Sequence, residues 1–152
     1  MSGAMIVKPP SPEAIAAFRR HLPLSQKAAL ATEIVGTYIG VRRLLRRDEL
    51  AEAVRALRVA GPPADTPDGD QLLLGIRLGQ IVGKTLGVLP ADSRCLVRSL
   101  VLTSLLVRRG IQSSLVIGVR AEPSFEAHAW VECGGTPLLP PGDERYGRLV
   151  EF

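Results

Sequence analysis

The apolar period of this chain changes once, and the change falls on a glycine. From Leu96 to Val107 nearly every position is apolar or small. Leu96, Leu100, Thr103, Leu106 and Val107 share one helical side, with Val97, Val101, Ser104 and Leu105 beside it. A helix this apolar around its girth must be enclosed on most faces. It stops at Arg108, Arg109 and Gly110, with cations in the last turn and glycine beyond it. The period then drops to two. Gln112 to Arg120 and Ala127 to Cys133 read as strands, and Gly134–Gly135 between apolar runs is a two-residue hairpin signal. Thr136 to Leu139 returns as a third strand, which Pro140 and Pro141 end.

The first half is helical by pattern. Met1 to Pro12 reads as a flexible arm broken by Pro9, Pro10 and Pro12. A short helix is predicted over Glu13 to His21. A longer one runs from a Ser25 cap to about Arg47, with Leu30, Ile34, Ile39, Leu44 and Leu45 as its stripe. Gly36 and Gly40 weaken that helix expectation, and at four-residue spacing they could also allow close helix packing. Asp48 to Ala60 forms a third helix, and residues 61–70 form a loop rich in Pro and Gly. A fourth helix covers Leu72 to Leu86, with Leu73, Ile76, Gln80 and Val82 partly inward. Helices first, then one buried helix, then an antiparallel meander make the class α+β.

At 152 residues the chain is expected to form one domain. Apolar residues at 46% and charged residues at 22% exclude a disordered chain. No apolar run reaches the roughly 18 residues of a membrane span, and Met1 to Pro10 is too short and weakly apolar for a signal peptide. Two cysteines cannot make a disulfide scaffold, so a cytoplasmic location is expected. The net charge of +4 hints at an acidic partner. Arg42, Arg43, Arg46 and Arg47 read as a solvated helix end or as a docking patch for an acidic peptide. Aromatic residues at 4% argue against a base-stacking surface, and no nucleic-acid partner is expected.

Two residues carry the chemistry. Cys95 follows Asp92 and Ser93; with Ser93 as the cap it is the second helical residue. There the free backbone N–H groups and the positive helix end favour a thiolate. Taken alone, such a cysteine is more often a small hydrophobe at a helix start. His128 changes the balance. It sits between Ala127 and Ala129, and strand geometry places Glu126, His128, Trp130 and Glu132 on one face. A cysteine at a helix start and a histidine on a later strand make a nucleophile and base. His21 has no such context, and one such histidine with two cysteines is too few for a closed zinc site. No metal or other cofactor is expected. Cys133 reads as structural, with no disulfide to Cys95.

The segments Arg94–Leu102, Arg109–Ile111, Leu115–Arg120 and Ala127–Glu132 together resemble the lasso-peptide leader peptidases, the transglutaminase-like B proteins of bacterial lasso-peptide biosynthesis. The likeness covers about residues 92–139 and is carried by the order and spacing of the segments. It implies a papain-like or transglutaminase-like cysteine peptidase core with a helical N-terminal half. It implies removal of the leader from a ribosomally made precursor, with Cys95 as nucleophile and His128 as general base and acid. The short chain resembles the split form, which implies a separate leader-recognition protein as partner. The lasso cyclase that acts next is a further candidate partner.

One position departs from that pattern. The family places an Asp about twelve residues after the His, where this chain has Pro140. With Gly134–Gly135 as the turn, residues 140 and 141 return opposite 129 and 128, where a carboxylate could orient the imidazole. Asp143, three residues on, is the expected stand-in. A backbone carbonyl, or no third member, are the alternatives. Glu132 shares the His128 face but lies roughly 13 Å along the strand, too far for a direct bond. Arg98, one turn from Cys95, could bind a substrate carboxylate or form a structural ion pair. The missing Asp also motivates another reading, a degenerate member that binds peptide without cutting it. A third reading is an acyl transferase that forms an amide.

Overall fold

The computed structural model describes residues 8–59, 61–63, 68–88, 94–140 and 146–152. Among them, five helices precede four strands: α1 (Pro12–Arg19), α2 (Leu24–Leu44), α3 (Leu50–Val59), α4 (Gly69–Gly87), α5 (Arg94–Arg108), β1 (Ser114–Arg120), β2 (Glu126–Cys133), β3 (Thr136–Pro137) and β4 (Gly147–Glu151). The strands form one antiparallel sheet in the order β3-β2-β1-β4. This is the α+β arrangement that the change of period implies.

α5 is the centre of the molecule. Leu100, Val101, Leu102, Leu105 and Leu106 are fully buried along it. α2, α3 and α4 pack on α5 and so does β2, which is why the helix carries apolar side chains around its girth. Its end is a Schellman motif. Gly110 takes φ +67°, its N–H donates to the Val107 carbonyl, and the Ile111 N–H donates to the Leu106 carbonyl. Gly134 and Gly135, at φ +55° and +80°, close the β2–β3 hairpin as a two-glycine turn requires.

Several expectations need correction. Residues 8–12 do not hang free as part of a flexible arm. The Ser11 N–H and hydroxyl donate to the two oxygens of Asp70, at 2.8 and 3.1 Å. The backbone of Lys8 to Pro10 lies so close to Gly69 that a Cβ there would stand 2.1 Å from the Pro10 nitrogen. The 61–70 loop ends early, because Asp68 caps α4 by accepting from the Gln71 N–H. Ser25 is not a cap; α2 starts at Leu24 after Pro23, whose fixed φ prepares the first turn.

The inward faces also differ. In α2, Ile34, Thr37 and Val41 are buried, whereas Ile39 is 45% exposed and nothing comes within 4 Å of a Cβ at Gly36 or Gly40. The close approach is made instead by glycines of α4. Gly75, Leu78, Gly79, Val82 and Leu86 face inward there, and Gln80 is exposed. A Cβ at Gly79 would meet the Leu138 carbonyl oxygen, and one at Gly75 the Leu138 side chain. β3 is only two residues long, yet the Leu138 N–H still donates to the Val131 carbonyl at 2.7 Å. The chain after β3 is thus held between β2 and α4. β4 was not foreseen; it pairs with the free edge of β1, with a register irregularity between Ile117 and Gly118.

Candidate active site

Cys95 is the second residue of α5 and is partly buried against the core. At that position the backbone N–H groups of the first turn have no partners within the helix. Asp92 and Ser93, the expected cap region, lie outside the described residues. His128 is the third residue of β2, and α5 packs against that strand. No hydrogen bond joins the Cys95 and His128 side chains among the described residues.

The surroundings of His128 are built by its cross-strand partner. Gly118 lies opposite it on β1. The absence of a side chain there leaves room for the Trp130 indole, whose Cη2 and Cζ3 lie 2.9 Å from where a Gly118 Cβ would be. The indole and imidazole are near parallel, with centroids 6.1 Å apart and planes at 22°. The Tyr146 ring stands on β4's approach, 5.4 Å from the imidazole.

His128 Nε2 lies 2.9 Å from the carbonyl oxygen of Pro140. A carbonyl only accepts, so Nε2 carries a proton here, and in the neutral ring the lone pair is on Nδ1. The oxygen comes from position 140, where the resemblance leads to the expectation of a carboxylate. Asp143 lies outside the described residues. Sequence left the carbonyl as one alternative among three, because a proline backbone leaves no mark in a side-chain pattern.

The other carboxylates near His128 are engaged elsewhere. Glu132 is buried; it accepts from Trp130 Nε1 at 2.8 Å and from an Arg148 Nη2 at 2.7 and 2.8 Å. Glu126 accepts from the Tyr146 hydroxyl at 2.9 Å, from Arg120 and from the Ser124 hydroxyl. The Tyr146 hydrogen bond, then that of Arg120, holds the Glu126 carboxyl below its ordinary range. Arg120 also lies over the Tyr146 ring, 5.2 Å from its centroid. Tyr146, which sequence reasoning missed, is therefore fixed from both sides beside His128.

Arg98 forms no ion pair among the described residues, and its Nε is buried without a partner. Its Nη2 reaches the C-terminal end of α4, 3.6 Å from a Cβ built on Gly87. Cys133 is fully buried, and burial pushes its thiol up to about 11. It is a structural residue, and both cysteines are free thiols. His21 is exposed. Among the described residues no three of His, Cys, Asp and Glu stand together as a metal site, and no helix is long and apolar enough to cross a membrane.

Comparison with curated proteins and with solved structures gave no match. A family profile described as the transglutaminase-like superfamily matches residues 35–151, from the middle of α2 to the end of β4. That superfamily includes cysteine peptidases and transglutaminases. The match spans every element on which Cys95 and His128 depend, and the chain belongs to the transglutaminase-like superfamily.

Proposed function

We propose that this chain is a cysteine endopeptidase that removes the leader from a ribosomally made lasso-peptide precursor, with a separate leader-recognition protein presenting the substrate. Superfamily membership supports the cysteine chemistry. The observation that carries the peptidase reading is the 2.9 Å contact from His128 Nε2 to the Pro140 carbonyl. It leaves Nδ1 as the basic nitrogen without requiring a carboxylate.

In this mechanism Nδ1 takes the Cys95 thiol proton, and the sulfur attacks the scissile carbonyl carbon. The Cys95 backbone N–H, at the start of α5, is one donor for the resulting oxyanion. His128 returns the proton to the leaving amine, and a thioester remains. Nδ1 then deprotonates a water, which attacks the thioester and releases the new carboxylate and the thiol. The donor that orients the ring throughout is Nε2–H, held by Pro140. A non-cleaving peptide binder is favoured only by the absent Asp, and the carbonyl supplies the orientation that Asp would give.

The test needs two measurements. Wild type, Cys95→Ala and His128→Ala are incubated with candidate precursors and the recognition protein, and product masses are read. Hydrolysis adds one water across the cut, whereas amide transfer does not. Cys95→Ala should release no leader, and His128→Ala should lose about 10³-fold in rate. Normal release by Cys95→Ala would end the assignment. Alkylation of the native protein near neutral pH should label Cys95 alone, faster than a free thiol, and lose that advantage in His128→Ala.

A further inference from the structure

α1's end, the first half of α2 and the second half of α4 enclose a groove of about 510 Å³. Its floor includes Phe18, Leu30 and Ile81, and its walls include Arg19, Arg20, Lys27 and Lys84. No Asp or Glu lines it among the described residues. The groove's remaining cation, Arg77, is already engaged. Its guanidinium donates to the carbonyls of Ala17 and Arg20 at 2.7 and 2.6 Å, which fixes the end of α1 as a wall. The other four cations are exposed and take part in no ion pair among the described residues. Four like charges around an apolar floor repel one another and focus a positive field into the groove. The chemistry that relieves this is an anionic segment that also carries apolar side chains.

The groove also has a direction. From Arg77 to Lys84 it follows α4 for roughly 10 Å at the helical rise. α4 then runs on to Gly87, where the Arg98 guanidinium approaches it. Arg98 is one turn from Cys95 on α5. A peptide laid along α4 therefore heads for the end of the molecule that carries the thiol.

We propose that this groove binds an acidic segment of the peptide substrate, with its apolar side chains on Phe18, Leu30 and Ile81 and its carboxylates on Arg19, Arg20, Lys27 and Lys84. The proposal rests on the peptidase reading, since it assigns the segment to the chain being cut. Its size suits a short stretch, about two helical turns.

The probe is a short fluorescein-labelled peptide of Glu and Leu, with a Gln-for-Glu counterpart, titrated by anisotropy against full-length Cys95→Ala at about 0.15 M salt. The Glu peptide should bind at least about tenfold tighter than its Gln counterpart. Adding Lys27→Glu and Lys84→Glu should weaken it at least about tenfold, and Lys27→Gln with Lys84→Gln should weaken it less. Arg46→Glu with Arg47→Glu makes the same charge change at the far end of α2 and should leave binding as it was. Equal weakening by the two charge-reversed pairs would overturn the proposal, as would equal binding of the Gln peptide. So would tighter groove binding of a single-stranded oligonucleotide. Cys95 alkylation in the groove variants with Cys95 restored keeps the two readings apart. Fast labelling with lost peptide binding removes the groove and leaves the peptidase; intact binding with unreactive Cys95 does the reverse.

Discussion

A Cβ at Gly79 would stand 2.1 Å from the carbonyl oxygen of Leu138, closer than any real side chain could be accommodated. Two residues after Leu138, the carbonyl of Pro140 meets the His128 ring. α4 thus sets the position of the imidazole from the far side of the chain that it holds. Gly79→Ala should push this segment off α4, with a cost of about 1–3 kcal/mol for overpacking. Cys95 alkylation should slow with it, because the ring loses its anchor. Gly83→Ala is the matched control: nothing lies within 4 Å of its Cβ, and a helix gains roughly 0.5–1 kcal/mol from the change. Thermal unfolding and labelling rate read both. Wild-type behaviour from Gly79→Ala would show that Leu138 is not seated as described.

The orientation of His128 by a main-chain oxygen makes an unusual prediction about side chains. Pro140→Ala keeps the carbonyl and should retain cleavage within a few-fold. Asp143→Asn should do the same if the carbonyl suffices. An essential triad acid would instead cost about 10⁴-fold on removal, by the serine-protease precedent. Single-turnover cleavage by the two variants separates these outcomes. A loss of that size in Asp143→Asn alone would make Asp143 the orienting group.

What the sequence disclosed follows from which physics leaves a mark in it. α5 and β2 were legible because burial on all faces and alternation along a strand are written in residue type. The placement of Cys95 at a helix start and of His128 on a strand was legible because the signals for both are local. The Pro140 carbonyl was left open because any residue supplies the same atom. Gly36 and Gly40 fit a close-packing pattern as well as Gly75 and Gly79 do; only the neighbour, Leu138, distinguishes them. β4 escaped because its five residues are all exposed and depend on the edge of β1, so no alternation marks them. Tyr146 followed the same fate, since its role comes from Glu126, twenty residues earlier.

Glu132 shows how a conspicuous carboxylate on the same strand face as His128 can be structural. It shares the His128 face but ties Trp130 on β2 to Arg148 on β4. Glu132→Leu would leave the buried indole N–H unpaired, at a cost of about 1–3 kcal/mol. Glu132→Gln keeps one acceptor and should lose less. The half-exposed Arg148 should matter less than the indole, because solvent can take over its guanidinium. Denaturant midpoints of the three variants Glu132→Leu, Glu132→Gln and Arg148→Ala check the order. Arg148→Ala proving the most destabilising would reverse this account.

Glu126 gives the site a predictable acid limb. Its carboxyl is held below the ordinary 4.5, first by the Tyr146 hydroxyl and then by Arg120. A depressed folded-state value means that its stabilising contribution is fully present above 4.5 and is lost as pH falls through the lowered value. The loss should release Tyr146 from its tether beside His128. Tyr146→Phe removes the largest cause, so the Glu126 carboxyl should move back up toward 4.5, with Arg120 still holding part of the shift. A carbon-detected titration of Glu126 in both proteins measures this directly. The tyrosine ring signal of wild type should change over the same acid range as the carboxyl. An unchanged Glu126 titration in Tyr146→Phe would separate the two residues and leave Arg120 and Ser124 responsible for the low value.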